Sequence, residues 1–163
     1  MKCFSKYTLA TWALCFVFSV GYAQNQEIKV IQFDKLEDLM AVNGNEVKIF
    51  NFWATWCKPC IEEMPVFETI SQNYRLKGVD VYLISMDFMK DLERVNTFVS
   101  KKELSSKVML LNEPDYDSWI NRVDPSWSGA LPATLIVSKD GKFFFERKME
   151  LAELRQKIDS LLN

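Results

Sequence analysis

Residues 46–54, EVKIFNFWA, are almost continuously apolar. A strand of this kind buries both of its faces, so its sheet needs a covering layer on each side. The run leads straight into TWCKPC, residues 55–60, which holds two cysteines with Lys58 and Pro59 between them. Proline is tolerated in the first turn of a helix, where the leading amides have no helical partner anyway. The stretch therefore predicts a central buried strand followed by a helix that starts near Cys57. It places Cys57 and Cys60 at the carboxyl end of that strand, where open α/β sheets usually meet their ligands.

The flanking sequence extends the pattern. IKVIQF (28–33) predicts a strand, and Asp34 with Glu37 has the form of a helix start, followed by Leu36, Leu39 and Met40 at helical spacing. After the cysteines, Ile61, Met64, Phe67, Ile70 and Tyr74 mark one helix face, which Pro65 is expected to kink. VDVYLISMD (79–87) reads as a second buried strand. Leu92, Val95 and Val99 suggest a helix, KVMLLN (107–112) a strand, and Tyr116, Trp119, Ile120 and Val123 a short amphipathic helix. ATLIVS (133–138), the turn KDGK and KFFFERK (142–148) form a hairpin, and Leu151, Leu154, Ile158 and Leu161 line a closing helix. The order predicts an α/β sandwich whose central sheet is mixed, parallel in part and antiparallel at the hairpin.

The first residues follow a different rule. Lys2 and Lys6 precede the uncharged apolar run 9–20, LATWALCFVFSV, and Gly21 and Ala23 supply small residues after it. This predicts a secretory signal peptide over 1–23, cut after Ala23, with one domain over 24–163. A spanning helix needs about 20 apolar residues, so membrane contact is expected only if the leader is kept. Cleavage removes two of the 20 basic residues and none of the 22 acidic ones, taking the formal charge from −2 to −4. A mildly acidic chain without a basic run is a poor partner for nucleic acid. Cleavage also removes Cys3 and Cys15, leaving Cys57 and Cys60 as the only cysteines.

The chain contains no histidine. That excludes Ser-His-Asp and Cys-His catalysis, and Ile61 after Cys60 excludes covalent c-type haem attachment. One C-x-x-C supplies two thiolates, whereas a structural zinc site wants four ligands, so neither a metal nor a cofactor is expected. A stapling disulfide across two residues closes a very small loop and removes little chain entropy. A redox-active pair is the better account. Cys57, at or just before a helix N-terminus and next to Lys58, is the expected thiolate. Cys60, one turn in and more buried, is the expected resolving thiol.

Phe52 and Trp53 are expected in the core. Trp56 is expected to form an apolar rim beside the nucleophile, with plain packing as the other reading. Glu63, three residues after Cys60 on the same helical face, either moves protons between the thiols or is an ordinary solvated glutamate. Glu62 is assigned to solvent. Pro132 opens the strand ATLIVS; trans is the default for its peptide bond, whereas a cis bond would set a rigid backbone edge facing the cysteines.

FWATWCKPC, the proline at position 65, VYLISMD and GALPATLIVSKDGK occur in an order that resembles thioredoxin-fold proteins. NFWATWC followed by Glu63-Met64-Pro65 resembles the extracytoplasmic TlpA/ResA-like branch of bacterial thiol–disulfide oxidoreductases, from about residue 28 onward. The resemblance implies a thioredoxin-like three-layer sandwich with a central αβ insertion at about residues 88–112. It implies that Cys57 attacks, Cys60 resolves, Glu63 is the active-site glutamate and Pro132 is cis. Many thioredoxins carry a buried acid on the strand before the cysteines; Asn51 stands there and cannot titrate, which shifts proton handling to Glu63. Trp56, Pro59, Leu131 and Pro132 are the candidate substrate contacts. The implied partners are protein disulfides, apocytochrome c among the candidates, and a membrane electron donor, in the periplasm or another extracytoplasmic space. Two alternatives stand beside this. One is a peroxiredoxin-type peroxidase, which shares the fold and usually needs a lone peroxidatic cysteine in a Pro/Thr-rich loop. The other is a non-catalytic module that captures a partner through Trp56, Trp127 and Pro132.

Overall fold

The structure is a computed structural model and describes residues 28–162. The expected leader over 1–23, with Cys3 and Cys15, lies outside the described residues. Within the described residues, six strands and five helices follow in the order β1 (Lys29–Ile31), α1 (Phe33–Met40), β2 (Val47–Trp53), α2 (Lys58–Tyr74), β3 (Val79–Ser85), α3 (Leu92–Lys102), β4 (Lys107–Leu111), α4 (Tyr116–Val123), β5 (Ala133–Ser138), β6 (Gly141–Phe145) and α5 (Leu151–Leu161). The strands form one sheet in the order β1-β4-β3-β2-β5-β6. The pairs from β1 to β2 are parallel, and β5 and β6 are antiparallel to their neighbours.

Alternation along β2 divides the core. Val47, Ile49 and Trp53 face α2, α3 and α5, packing with Phe67, Ile70, Val95 and Ile158. Phe50 and Phe52 face α1 and α4, packing with Leu36, Met40, Trp119 and Val123. The sheet is thus covered on both sides, as its apolar central strand requires. The expected αβ insertion is α3 with β4, and β4 enters the sheet between β1 and β3.

Several boundaries differ from the sequence reading. The first strand stops at Ile31, and Phe33 instead opens α1, where its ring stacks on Trp119 with centroids 5.3 Å apart. The cap position is Gln32, whose side chain makes no capping bond, so Asp34 lies inside the first turn rather than at its start. Burial of Phe33 overrides the local capping preference. Pro65 sits within α2 without ending it, and its carbonyl accepts the Thr69 hydroxyl at 2.8 Å. The hairpin's second strand ends at Phe145 rather than Lys148. Glu146 turns away and accepts the amides of Ser128 and Ala130 at 3.1 and 2.9 Å.

Candidate functional site

β2 ends at Trp53, and the chain turns at once into α2. The turn is closed by the Cys57 amide, which donates to the Ala54 carbonyl at 3.1 Å. Cys57 is the N-cap of α2, and its Sγ accepts from the Cys60 amide at 3.4 Å. An N-cap is normally an oxygen-bearing side chain that satisfies a leading amide; a sulfur occupies that place here. Pro59 sits exposed in the first turn, where its missing amide costs nothing. Cys57 and Cys60 are joined as a disulfide, with Cα atoms 5.3 Å apart. Cys57 is 6 % exposed and Cys60 is fully buried. Cys60 is the more buried residue of the two, as the sequence predicts.

Phe52 and Trp53 are core residues, whereas Trp56 is 62 % exposed beside the cysteines. The first residue of β5, Ala133, pairs with Phe52 across the antiparallel β2–β5 ladder. That register carries Leu131 and Pro132 to the end of β2 from which the cysteine turn departs. The Leu131–Pro132 bond is cis, as the family resemblance implies and against the default from the residues alone.

Glu63 lies one turn beyond Cys60 and is completely buried, which overturns the reading of a solvated glutamate. Its Oε1 accepts from Asn51 Nδ2 at 2.7 Å and its Oε2 from the Met149 amide at 2.7 Å. Burial pushes the Glu63 carboxyl above its ordinary value of 4.5, opposed by the Met149 amide, Asn51 and the charge of Lys148. The folded protein therefore holds this proton more tightly than the unfolded chain does. Stability falls as pH rises from about 4.5 through the raised value, and then levels off. Glu62 points outward, with Lys148 Nζ at 3.7 Å.

Residues 23–143 match the AhpC/TSA family. The chain belongs to this family. Over 120 residues it is 32 % identical to the thiol-disulfide oxidoreductase ResA of a Bacillus cereus strain, covering 74 % of this chain and 64 % of that protein. Over 150 residues it is 28 % identical to ResA of Oceanobacillus iheyensis, covering 90 % of this chain and 73 % of that one. The chain thus spans 64 % of the length of the Bacillus cereus relative. Among solved structures it resembles the thioredoxin-related protein from Neisseria meningitidis serogroup B, with a TM-score of 0.64 and 22 % identity over 76 % of this chain and 89 % of that one. The fold is thioredoxin-like.

Two features of this AhpC/TSA member were not visible in its sequence. The first is Asp87, at the end of the buried run VYLISMD, whose side chain is buried. It accepts the Thr55 amide and the Ser85 hydroxyl, each at 2.9 Å, the Thr55 hydroxyl, and Arg94 of α3 at 3.1 Å. One carboxylate thus ties the turn before Cys57 to β3 and to the inserted helix. The only sequence signal was a charge closing an apolar strand. The second feature is a groove of about 330 Å³ beside Trp56, lined by Met86, Tyr116, Ile120, Trp127 and Leu131 among others. Trp127 is a floor rather than a flank: it is 4 % exposed, lies 4.6 Å from the Phe52 ring, and donates its indole N–H to the Ala130 carbonyl at 3.0 Å.

Proposed function

We propose that this chain is a thiol–disulfide oxidoreductase that reduces protein disulfides outside the cytoplasm through the Cys57/Cys60 dithiol. The observation that carries this reading is the placement of the Cys57 sulfur as the cap of α2, facing a helix amide, with Cys60 buried behind it. When the bridge is open, the unpaired amides and the positive helix end favour a thiolate at that position. The Cys57 thiolate attacks one sulfur of the partner's disulfide, forming a mixed disulfide and expelling the partner's other sulfur as a thiolate. Cys60 then loses its proton, with Glu63 as the acceptor, and attacks the Cys57 sulfur. The partner leaves with two electrons and both cysteines reduced, and this chain is left with the Cys57–Cys60 bridge. A membrane dithiol donor returns the two electrons.

Trp56, Pro59, Leu131 and Pro132 are the residues assigned to partner contact. Four of the five exposed large apolar side chains among the described residues, Trp56, Phe88, Met89 and Tyr116, follow the carboxyl ends of the parallel strands β2, β3 and β4. Concentrated apolar exposure of this kind marks a protein contact surface. The extracytoplasmic setting rests on the expected leader over 1–23. Apocytochrome c is the partner to try first, given the ResA-like resemblance. The AhpC/TSA family match leaves room for peroxidase chemistry, but beyond residue 23 the only cysteines are the bridged pair.

The reduction potential of the domain over 24–163 tests the reductase role. A value well below that of the strongly oxidising exchangers is expected; a value near about −120 mV would make the protein an oxidant and end this reading.

A further inference from the structure

Glu63 is buried with both carboxyl oxygens occupied, and both partners are donors: Asn51 Nδ2 and the Met149 amide, each at 2.7 Å. That pattern matches an ionised carboxylate. A protonated Glu63 carries an O–H that needs an acceptor. The Met149 amide can never accept. Asn51 can, because its side-chain amide has an acceptor at its other end. That acceptor, Asn51 Oδ1, is buried and has no hydrogen-bond partner among the described residues. A buried polar atom left unpaired is costly and calls for a physical reason.

A reversal exchanges which end of the Asn51 amide lacks a partner: Nδ2 moves into the place now held by the unpaired Oδ1, and Oδ1 moves toward the Ala133 carbonyl. Nδ2 also lies 3.2 Å from Thr134 Oγ1, a hydroxyl that donates as readily as it accepts. Its one fixed acceptor besides the carboxylate, among the described residues, is the Ala133 carbonyl, at 3.5 Å the longest of its contacts. Turning the amide end for end exchanges Nδ2 and Oδ1 at almost unchanged volume. With Glu63 ionised, Nδ2 donates to the carboxylate. With Glu63 protonated, Oδ1 accepts from Glu63 and from the Thr134 hydroxyl.

We propose that Asn51 is a positioning residue whose side-chain amide turns over with the proton of Glu63, so that this buried carboxyl is matched in both of its charge states. The link to catalysis rests on the dithiol reading, in which the Cys60 proton passes to Glu63. Asn51 carries neither proton nor electron. Among the described residues, the charged groups around Glu63 are few. Lys148 and Glu150, in the segment before α5, act in opposite directions, and Glu62 on α2 lies outward against Lys148. On α5, Glu153 is paired with Arg147. β2 and β5 present the neutral Asn51 and Thr134, and the two cysteines of α2 are bridged. A residue that follows the proton without holding one explains why an asparagine can stand on this strand.

The test is a pH titration of the oxidised protein by NMR, without any partner. The Glu63 side-chain carboxyl carbon reports its protonation, and contacts from the Asn51 amide protons to Thr134 report the orientation of the amide. The expected result is loss of those contacts on acidification, with the midpoint of Glu63. In Asn51→Asp, of the same shape, two carboxyl groups share the site, and the Glu63 midpoint should rise by at least about one pH unit, a tenfold gain in proton affinity. Asn51 contacts that persist through the Glu63 titration, or an Asn51→Asp midpoint that does not move, would overturn the proposal. Disulfide exchange assayed alongside keeps the two readings apart: amide turnover in a protein that exchanges nothing rejects the dithiol function and supports this pairing.

Discussion

A Cys60→Ser variant should lose steady-state disulfide exchange by at least about a thousandfold, the scale seen when one member of a covalent catalytic set is removed. It should do so while still forming the first bond. Cys57 keeps its place as the cap of α2, so its attack on a partner disulfide is undisturbed. The sulfur that would expel the partner is gone, and a serine hydroxyl is no substitute for a thiolate at a disulfide. No other cysteine lies beyond residue 23. Mixed disulfides through Cys57 should therefore accumulate and disappear on reduction. The same experiment with Cys57→Ser should trap nothing, because Cys60 is fully buried and out of a partner's reach. The readout is a non-reducing gel or intact mass of the captured species. Equal, non-covalent capture by the Cys57→Ser form would support a passive binding module instead.

The second large effect concerns the platform under the site. Phe52→Ala should lower the unfolding free energy by about 3–5 kcal/mol, the usual cost of emptying a buried aromatic position. Phe52 is fully buried, and its ring lies 4.6 Å from that of Trp127. It also pairs with Ala133 directly after the Leu131–Pro132 bond. A loss of this size is a large share of the ~5–15 kcal/mol that holds a typical domain folded. Phe88→Ala, at a position 57 % exposed, should stay within about 0.5 kcal/mol of the parent. Urea unfolding of the two variants makes the comparison. A loss below about 1 kcal/mol for Phe52→Ala would mean that the site does not rest on this cluster.

What could be read from the sequence was local or periodic. The apolar run 46–54 announced a doubly covered strand because burial on both faces leaves no alternation. The cysteines announced a helix start because they follow a buried strand and Pro59 suits a first helical turn. The distinction between Cys57 and Cys60 followed from one helical turn of depth. What could not be read were contacts between distant segments. Glu63 takes a bond from the Met149 amide, and Asp87 takes two from Thr55. No periodicity marks such pairs. The orientation of Trp127 was equally hidden, since an aromatic in a loop is compatible with rim or floor until Phe52 and Trp119 are in place. The cis bond at Pro132 came only from likeness to a family; the residues themselves favour trans. Where the local reading erred, at Phe33 and at 146–148, tertiary contacts of Phe33 and Glu146 decided the boundary.

Exchange by this route requires Cys57 to be ready to ionise at the mouth of α2. The rate of Cys57 alkylation against pH in the reduced Cys60→Ser protein measures this directly. The rate should reach half its plateau at least about one pH unit below free cysteine, which ionises near ~8.5. A profile that coincides with that of free cysteine would contradict the mechanism.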